Sequence, residues 1–169
     1  PIFSWLKITG LDTVLGPEMK STGEAMGHGP NFGTAYLKAM KGGNKKLPTK
    51  GTVFLSISNK LKLEFGNIAQ ELIDLGFNFI ATKGTAAHLR KKGIKSKVIW
   101  RISDKKQPDI LSIMRRGNVA LIINLPTGRR AATDGAQMRR LAVELGIPFI
   151  TTLTGAKAAI YSLKEGEKD

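Results

Sequence analysis

From residue 51 onward, short apolar runs rich in β-branched residues alternate with amphipathic segments of helical period. The predicted strands are 52–58, 77–82, 97–100, 119–125 and 148–152, and the predicted helices are 61–76, 84–93, 108–117, 134–146 and 154–166. Strands that alternate with helices form a parallel sheet, because parallel neighbours need a crossover connection. We therefore predict an α/β fold of Rossmann type, with a parallel five-stranded sheet and helices on both faces.

The ends of these helices carry the expected residues. Gly76, Gly93 and Gly117 each follow a helical run, as C-terminal capping glycines do, and Pro108 stands where a helix can begin. The run 119–125 is the most apolar of the five, which favours a central strand.

The first fifty residues do not show this alternation of strands and helices. Residues 1–24 are irregular in composition, 31–41 predict one helix capped by Asn31, and 43–50 have the composition of a linker. We expect a short helical and irregular tail of a preceding domain. The sequence has no initiator Met, no signal-peptide pattern and no apolar run of bilayer length, so we expect a processed chain or a piece of a larger protein, without a membrane partner.

Composition excludes several kinds of site. The chain has no cysteine and two histidines, which excludes disulfides, thiolate metal sites and histidine-rich metal sites. Its 27 basic and 13 acidic residues give a formal charge of +14, a field that attracts anions. Few aromatic residues are interleaved with the basic clusters, unlike a stacking platform for single strands. Solvated helix faces account for most of these charges.

Ligands of open parallel sheets bind at the carboxyl ends of the strands, which we call the rim. Hydroxyls, amides and cations follow every predicted strand, and Thr82 and Thr85 flank Gly84 where a strand meets a helix. Such a glycine lets backbone N–H groups approach an oxyanion, which the helix dipole also favours. The predicted phosphate or carboxylate site comprises Lys62, Thr82, Lys83, Gly84, Thr85, Trp100, Arg101, Asn124 and Thr127.

A plainer interpretation of the same residues stays open, because Thr and Gly at such joints serve as caps and turn formers. Carboxylates are scarce here as well: Asp104, Asp109 and Asp134 lie near the predicted rim, and none directly follows a strand. General base catalysis needs a carboxylate or histidine within reach of the proton. We therefore predict a binding site with no catalytic residues and no metal.

Two stretches carry a family resemblance. LDTVLGPEMKSTGEAMG (11–27) and the helix at 31–41 resemble the end of the second ATP-grasp half of carbamoyl-phosphate synthetase large chains. The motifs ATKGT (81–85), IIN (122–124), GRR (128–130) and TT (151–152) are similar to the methylglyoxal-synthase-like allosteric domain that follows it. The resemblance implies an ATP-grasp tail at 1–42, a linker at 43–50 and the allosteric domain at 51–166.

The resemblance also implies roles for single residues. Lys62, Thr82, Thr85, Arg101 and Asn124 match effector contacts of the family. Two positions depart from the bacterial pattern: Arg101 stands where bacterial members commonly have Lys, and Pro126 stands at a threonine contact, with Thr127 beside it. Trp100 and NLP (124–126) resemble instead the animal mitochondrial members activated by acetylglutamate. The implied effector is a small anion, namely UMP, IMP or acetylglutamate.

At the level of the whole protein, the resemblance implies a regulatory region of a ligase that makes carbamoyl phosphate for arginine and pyrimidine biosynthesis. ATP and Mg or Mn would bind the synthetase halves, and this chain would hold no cofactor. Its implied partners are the rest of the large subunit and a glutaminase subunit. The implied location is the cytoplasm, or the mitochondrion for an animal-type member. Two alternatives stay open: a methylglyoxal-synthase-like enzyme and a basic nucleic-acid-binding module.

Overall fold

The computed structural model describes residues 2–3, 24–43, 45–126 and 129–166. Its centre is a parallel five-stranded sheet, as the sequence predicts, in the order β5-β4-β3-β6-β7. The five strands are β3 (Gly51–Ile57), β4 (Phe77–Thr82), β5 (Lys97–Ile99), β6 (Leu121–Leu125) and β7 (Phe149–Ile150). The first two strands, β1 (Ile2–Phe3) and β2 (Glu24–Ala25), form a separate antiparallel pair.

The centre of the sheet is β3, whereas the sequence favoured the strand at 119–125. All five residues of β6 are buried, but β6 lies one place away from the centre, between β3 and the short edge strand β7. Both strands are apolar because helices cover both of their faces, so apolarity alone does not order them.

Six helices occur in the described residues: α1 (Phe32–Gly42), α2 (Lys62–Asp74), α3 (Lys83–Lys91), α4 (Ile110–Arg115), α5 (Arg129–Glu144) and α6 (Leu153–Gly166). Their bounds differ from the predicted ones by one to five residues. Helix α5 begins five residues earlier than predicted, at Arg129. Helix α4 is shorter, because Asp109 caps it by accepting a 2.8 Å hydrogen bond from the Ser112 N–H.

The helices form two layers. One apolar core lies between the sheet and the layer of α2, α3 and α6, around Leu55, Phe65 and Leu72. A second core lies on the other face, where α4 and α5 cover Phe54 and Ile122. Neighbouring residues of β3 therefore point into different cores, which confirms that helices flank both faces.

The predicted glycine ends are present. Gly76, Gly93, Gly117 and Gly146 have φ between +67° and +80°, the left-handed conformation that terminates a helix. A residue with a Cβ would be strained at these positions.

The N-terminal part packs against the sheet domain. Asn31 caps α1, as predicted, by accepting a 2.9 Å hydrogen bond from Thr34 N–H. Helix α1 lies on α6, where Gly33 lets the two backbones approach. Met40 from α1 and Leu47 from the predicted linker are buried in the first core. The division of the chain at residues 42 and 50 stays a prediction.

Candidate functional site

Two buried threonines join the ends of β3 and β4 at the rim. Thr85 Oγ1 accepts a 2.9 Å hydrogen bond from the N–H of Ile57, the last residue of β3. Thr82 Oγ1 donates to Thr85 Oγ1 over 3.2 Å, and both threonines are at most 5% exposed. These hydroxyls hold the junction of β4 and α3 against the neighbouring strand β3.

The first turn of α3 is open to an anion. Thr82 occupies the cap position, but its side chain makes no capping hydrogen bond to the helix, and the first turn contains no acidic residue. Its backbone N–H groups and the positive end of the helix dipole thus have no local negative partner. Lys83 and Gly84, in this turn, are both exposed.

Lys62, the first residue of α2, places its ammonium above this turn. A Cβ built on Gly84 would lie 3.3 Å from Lys62 Nζ, so the ammonium sits in the space that the glycine leaves free. Asn59 supports it from the preceding 3-10 turn, where its Oδ1 accepts a 2.6 Å hydrogen bond from Lys62 Nζ.

A second cation lies beside the first. Desolvation lowers the pKa of Lys62 below its ordinary value of 10.5, and repulsion by the Arg101 guanidinium lowers it further. Among the described side chains, neither cation forms an ion pair with a carboxylate. Two neighbouring cations without a counter-ion create a positive potential where an oxyanion would gain hydrogen bonds and charge together.

The loop that carries Arg101 is fixed by two carboxylates. Asp104 Oδ2 accepts a 3.1 Å hydrogen bond from the Arg101 N–H. Asp134 on α5 accepts from Ser103 twice, at 2.9 Å from Oγ and 3.3 Å from N–H. Trp100, 36% exposed, precedes Arg101, and its ring lies 4.7 Å from Lys106 Nζ. The place of Trp100 in the effector site stays a prediction.

Asn124, at the rim end of β6, has a side-chain amide donor without a hydrogen-bond partner among the described residues. Its side chain is 3% exposed, and Nδ2 has no hydrogen-bond partner among the described residues. Asn124 pairs in register with Ser56 of β3, and Ser58, which directly follows β3, has a buried Oγ that is likewise unpartnered. Buried polar atoms normally find partners, so two orphans on adjacent strands are typical of a ligand site.

Arg139 is a functional candidate that the sequence analysis missed. It belongs to one of the basic clusters, most of whose charges the sequence analysis ascribed to solvated helix faces, but it is only 5% exposed, whereas Arg140 is exposed. A Cβ on Gly135 would lie 2.8 Å from Arg139 Nη1 and 3.2 Å from Asn124 Nδ2. The spacing of a glycine four residues before an arginine was the available signal, because these positions share one helix face.

The carboxylates near the rim are already engaged. Asp104 and Asp134 accept from the Arg101 loop, and Asp109 accepts from Ser112 at the start of α4. In the part of the chain that the structure describes, no group of three or more His, Asp or Glu side chains could hold a metal. No helix there is long and apolar enough to cross a bilayer.

Two other threonines that follow predicted strands do not add a described contact to the site. Thr127 lies outside the described residues. The Thr152 hydroxyl, which follows β7, accepts a 3.0 Å hydrogen bond from Gly155 N–H and so caps α6. The structure thus gathers Lys62, Thr82, Gly84, Thr85 and Arg101 at one place and sets Asn124 on the strand beyond β3.

Comparison with known proteins assigns this geometry to a family. The model of the MGS-like domain matches residues 64–151, which include the α3 turn, Arg101 and Asn124. The chain belongs to the MGS-like domain family. An MGS-like domain has the observed parallel sheet with flanking helices, so the predicted fold class is confirmed.

The relatives of this MGS-like chain confirm the resemblance that the sequence motifs indicated. It is 47% identical over 163 residues to the carbamoyl phosphate synthase large chain, C-terminal section, of Methanocaldococcus jannaschii, covering 96% of this chain and 26% of the relative. The corresponding section of Methanopyrus kandleri is 44% identical, with 96% and 30% covered. The large chain of Archaeoglobus fulgidus is 46% identical, with 96% and 15% covered. The chain therefore spans under a third of each of these relatives.

Proposed function

We propose that this chain is the regulatory region of a carbamoyl phosphate synthase large subunit and that it binds a small anionic effector at the rim. The observation that carries the proposal is the juxtaposition of Lys62 and Arg101 above the uncapped first turn of α3. The fold and the relatives support membership of such a subunit, and the charge and hydrogen-bonding pattern supports the class of ligand.

A phosphate or carboxylate would bind here for two reasons. Its oxygens would accept from the N–H groups of the α3 turn and from Lys62, replacing water with fixed donors. Its charge would also offset the repulsion between Lys62 and Arg101, which adds to desolvation in lowering the pKa of the lysine in the free protein. The unpartnered Asn124 Nδ2 and Ser58 Oγ would serve a polar group further along the same ligand.

Regulation requires that the effector favour one of two states of the synthetase. The Arg101 loop is the element best placed to report occupancy, since Ser103 links it to α5 through Asp134. We propose that effector binding draws Arg101 toward the anion and that this bias passes to α5. The rest of the large subunit, with ATP, Mg or Mn and a glutaminase subunit, would carry out the synthesis of carbamoyl phosphate.

The test is a thermal-shift and titration panel with phosphate, UMP, IMP and acetylglutamate. A ligand at about a hundred times its dissociation constant stabilises a protein by about 2.7 kcal/mol. We expect one compound to do so and Lys62→Ala to weaken it about tenfold or more, as loss of a charge-assisted hydrogen bond implies. Lys60→Ala is the matched control, because Lys60 is an exposed cation in the 3-10 turn that directly precedes Lys62.

Equal losses in the Lys60 and Lys62 variants would show attraction by charge alone and overturn the site. Conversion of dihydroxyacetone phosphate to methylglyoxal would instead support an enzyme. Binding of random RNA with a steep salt dependence, without any small-anion response, would support the nucleic-acid module.

A further inference from the structure

A second concave surface lies at the opposite end of the sheet from the rim. A cleft of about 1080 Å³ opens beside the amino-terminal ends of β3, β4 and β5 and the segment that follows α4. It exists because α4 has only six residues and ends at Arg115, so it leaves the beginning of this sheet face uncovered. At about 3.3 Å per residue, the six residues of β4 separate this cleft from the rim by about 20 Å.

The walls of this cleft are basic and its floor is apolar. The ionisable residues that line it are Lys95, Lys97 and Arg116, all exposed, and no Asp or Glu lies among the described lining residues. Ile80 and Val119, each 6% exposed, contribute to the floor. We call this surface the basic cleft.

We propose that the basic cleft is a docking groove for an acidic polypeptide segment with interspersed apolar side chains. Three cations without a carboxylate among them favour a partner that carries several negative charges. Exposed cations in an open cleft are screened by water and salt, so a single small anion would gain little from them. An extended chain would contact all three cations at once and place apolar side chains over Ile80 and Val119.

The shape of the cleft also favours a polypeptide. Its volume of about 1080 Å³ slightly exceeds the range of small-ligand pockets, about 300–1,000 Å³, and the cleft is an open groove. Apart from Phe79, which belongs to the other core, no aromatic side chain lines it, so it offers no platform on which bases of a single strand would stack. The proposal is independent of the effector site, because the two share no residue.

The test uses the full chain and a fluorescent twelve-residue peptide of alternating Glu and Val, with a peptide of alternating Gln and Val as reference. Anisotropy titrations at low salt would compare wild type with the triple variant Lys95→Gln, Lys97→Gln, Arg116→Gln. The matched control is Lys91→Gln, Arg140→Gln, Lys157→Gln, which removes the same charge from exposed helix positions. Amide NMR shifts of the wild type would locate the bound peptide.

We expect the acidic peptide to bind the wild type at least about tenfold more tightly than the neutral peptide, and the cleft variant to lose that difference. The control variant should stay within about twofold of wild type, and amide shifts should cluster at Asn78, Ser96 and Asn118. Equal binding of both peptides, equal losses in both variants, or shifts at the rim would overturn the proposal. Tighter binding of random single-stranded RNA to the same residues would also overturn it.

Discussion

The backbone N–H of Ile57 donates a 2.9 Å hydrogen bond to Thr85 Oγ1, across a gap of 28 positions in the chain. This bond ties the last residue of β3 to the first turn of α3, the turn over which Lys62 lies. Thr85 therefore stabilises the rim itself, in addition to its predicted contact with an effector. The same hydroxyl accepts from Thr82 Oγ1 over 3.2 Å and donates to Ile57 O over 3.4 Å.

Replacement of Thr85 by valine should destabilise the protein by about 1–3 kcal/mol, because it leaves the buried Ile57 N–H without a partner. Thr85→Ser keeps the hydroxyl and should cost less than Thr85→Val. Urea unfolding of both variants, with amide hydrogen exchange at Ile57, measures the difference. Equal stability of Thr85→Val and wild type would show that the bond contributes nothing.

Loss of the hydrogen bonds between Ser103 and Asp134 should weaken anion binding, although we do not place Asp134 among the residues that contact the anion. Asp134→Ala removes the acceptor of two hydrogen bonds and should lower effector affinity about fivefold, which corresponds to about 1 kcal/mol. Asp134→Asn keeps an acceptor and removes a negative charge, so its affinity should equal or exceed that of wild type. Isothermal titration with the effector distinguishes them. An Asp134→Ala variant that binds as tightly as Asp134→Asn would show that only the lost charge matters and overturn the role of loop position.

The affinity for the anion should decrease as the pH rises, and the decrease should begin at a lower pH than the titration of an ordinary lysine would give. Burial and Arg101 hold the pKa of Lys62 below 10.5, so this cation loses its proton before an unperturbed lysine would. Arg101→Ala should raise that pKa, because it removes a neighbouring positive charge. NMR titration of the Lys62 side chain tests this, with Arg115→Ala as a control that leaves the pKa where it is.

The lowered pKa of Lys62 also makes the free energy of unfolding depend on pH. Between the lowered folded pKa of Lys62 and 10.5, the unfolded chain binds more protons than the folded chain, so this residue makes stability rise with pH in that window. Lys62→Met should remove that contribution. Urea unfolding across this window, compared with wild type, would show a smaller rise; an unchanged profile would contradict the assignment.

The contribution of α1 to the sheet domain can be measured with two methionines. Met40 is 7% exposed in the first core, whereas Met26 is 92% exposed. Met40→Ala should cost about 2–4 kcal/mol of unfolding free energy, and Met26→Ala should stay within about 0.5 kcal/mol of wild type. A similar small effect at both positions would mean that α1 folds apart from the sheet.

Several features were predictable because they depend on local chemistry. The alternation of strands and helices, the bounds 77–82 of β4, the cap at Asn31 and the glycine helix ends follow from residues that are close in sequence. The choice of Thr82, Gly84 and Thr85 as a site also began locally, in one strand–helix joint. Periodicity, capping and glycine conformation act over a few residues, so a linear pattern contains them.

Tertiary structure decided the rest. The central place of β3, the early start of α5 and the burial of Leu47 depend on which elements meet, and propensity does not encode that. Arg139 and Arg140 are neighbours of one residue type, yet only the packing of α5 on the sheet buries the first. The rim is likewise a product of the fold: desolvation lowers the pKa of Lys62, and Arg101, 39 positions away in sequence, lowers it further because the chain brings the two side chains together. Sequence determined which groups were available, and the crossover connections of the parallel sheet decided which of them share one site.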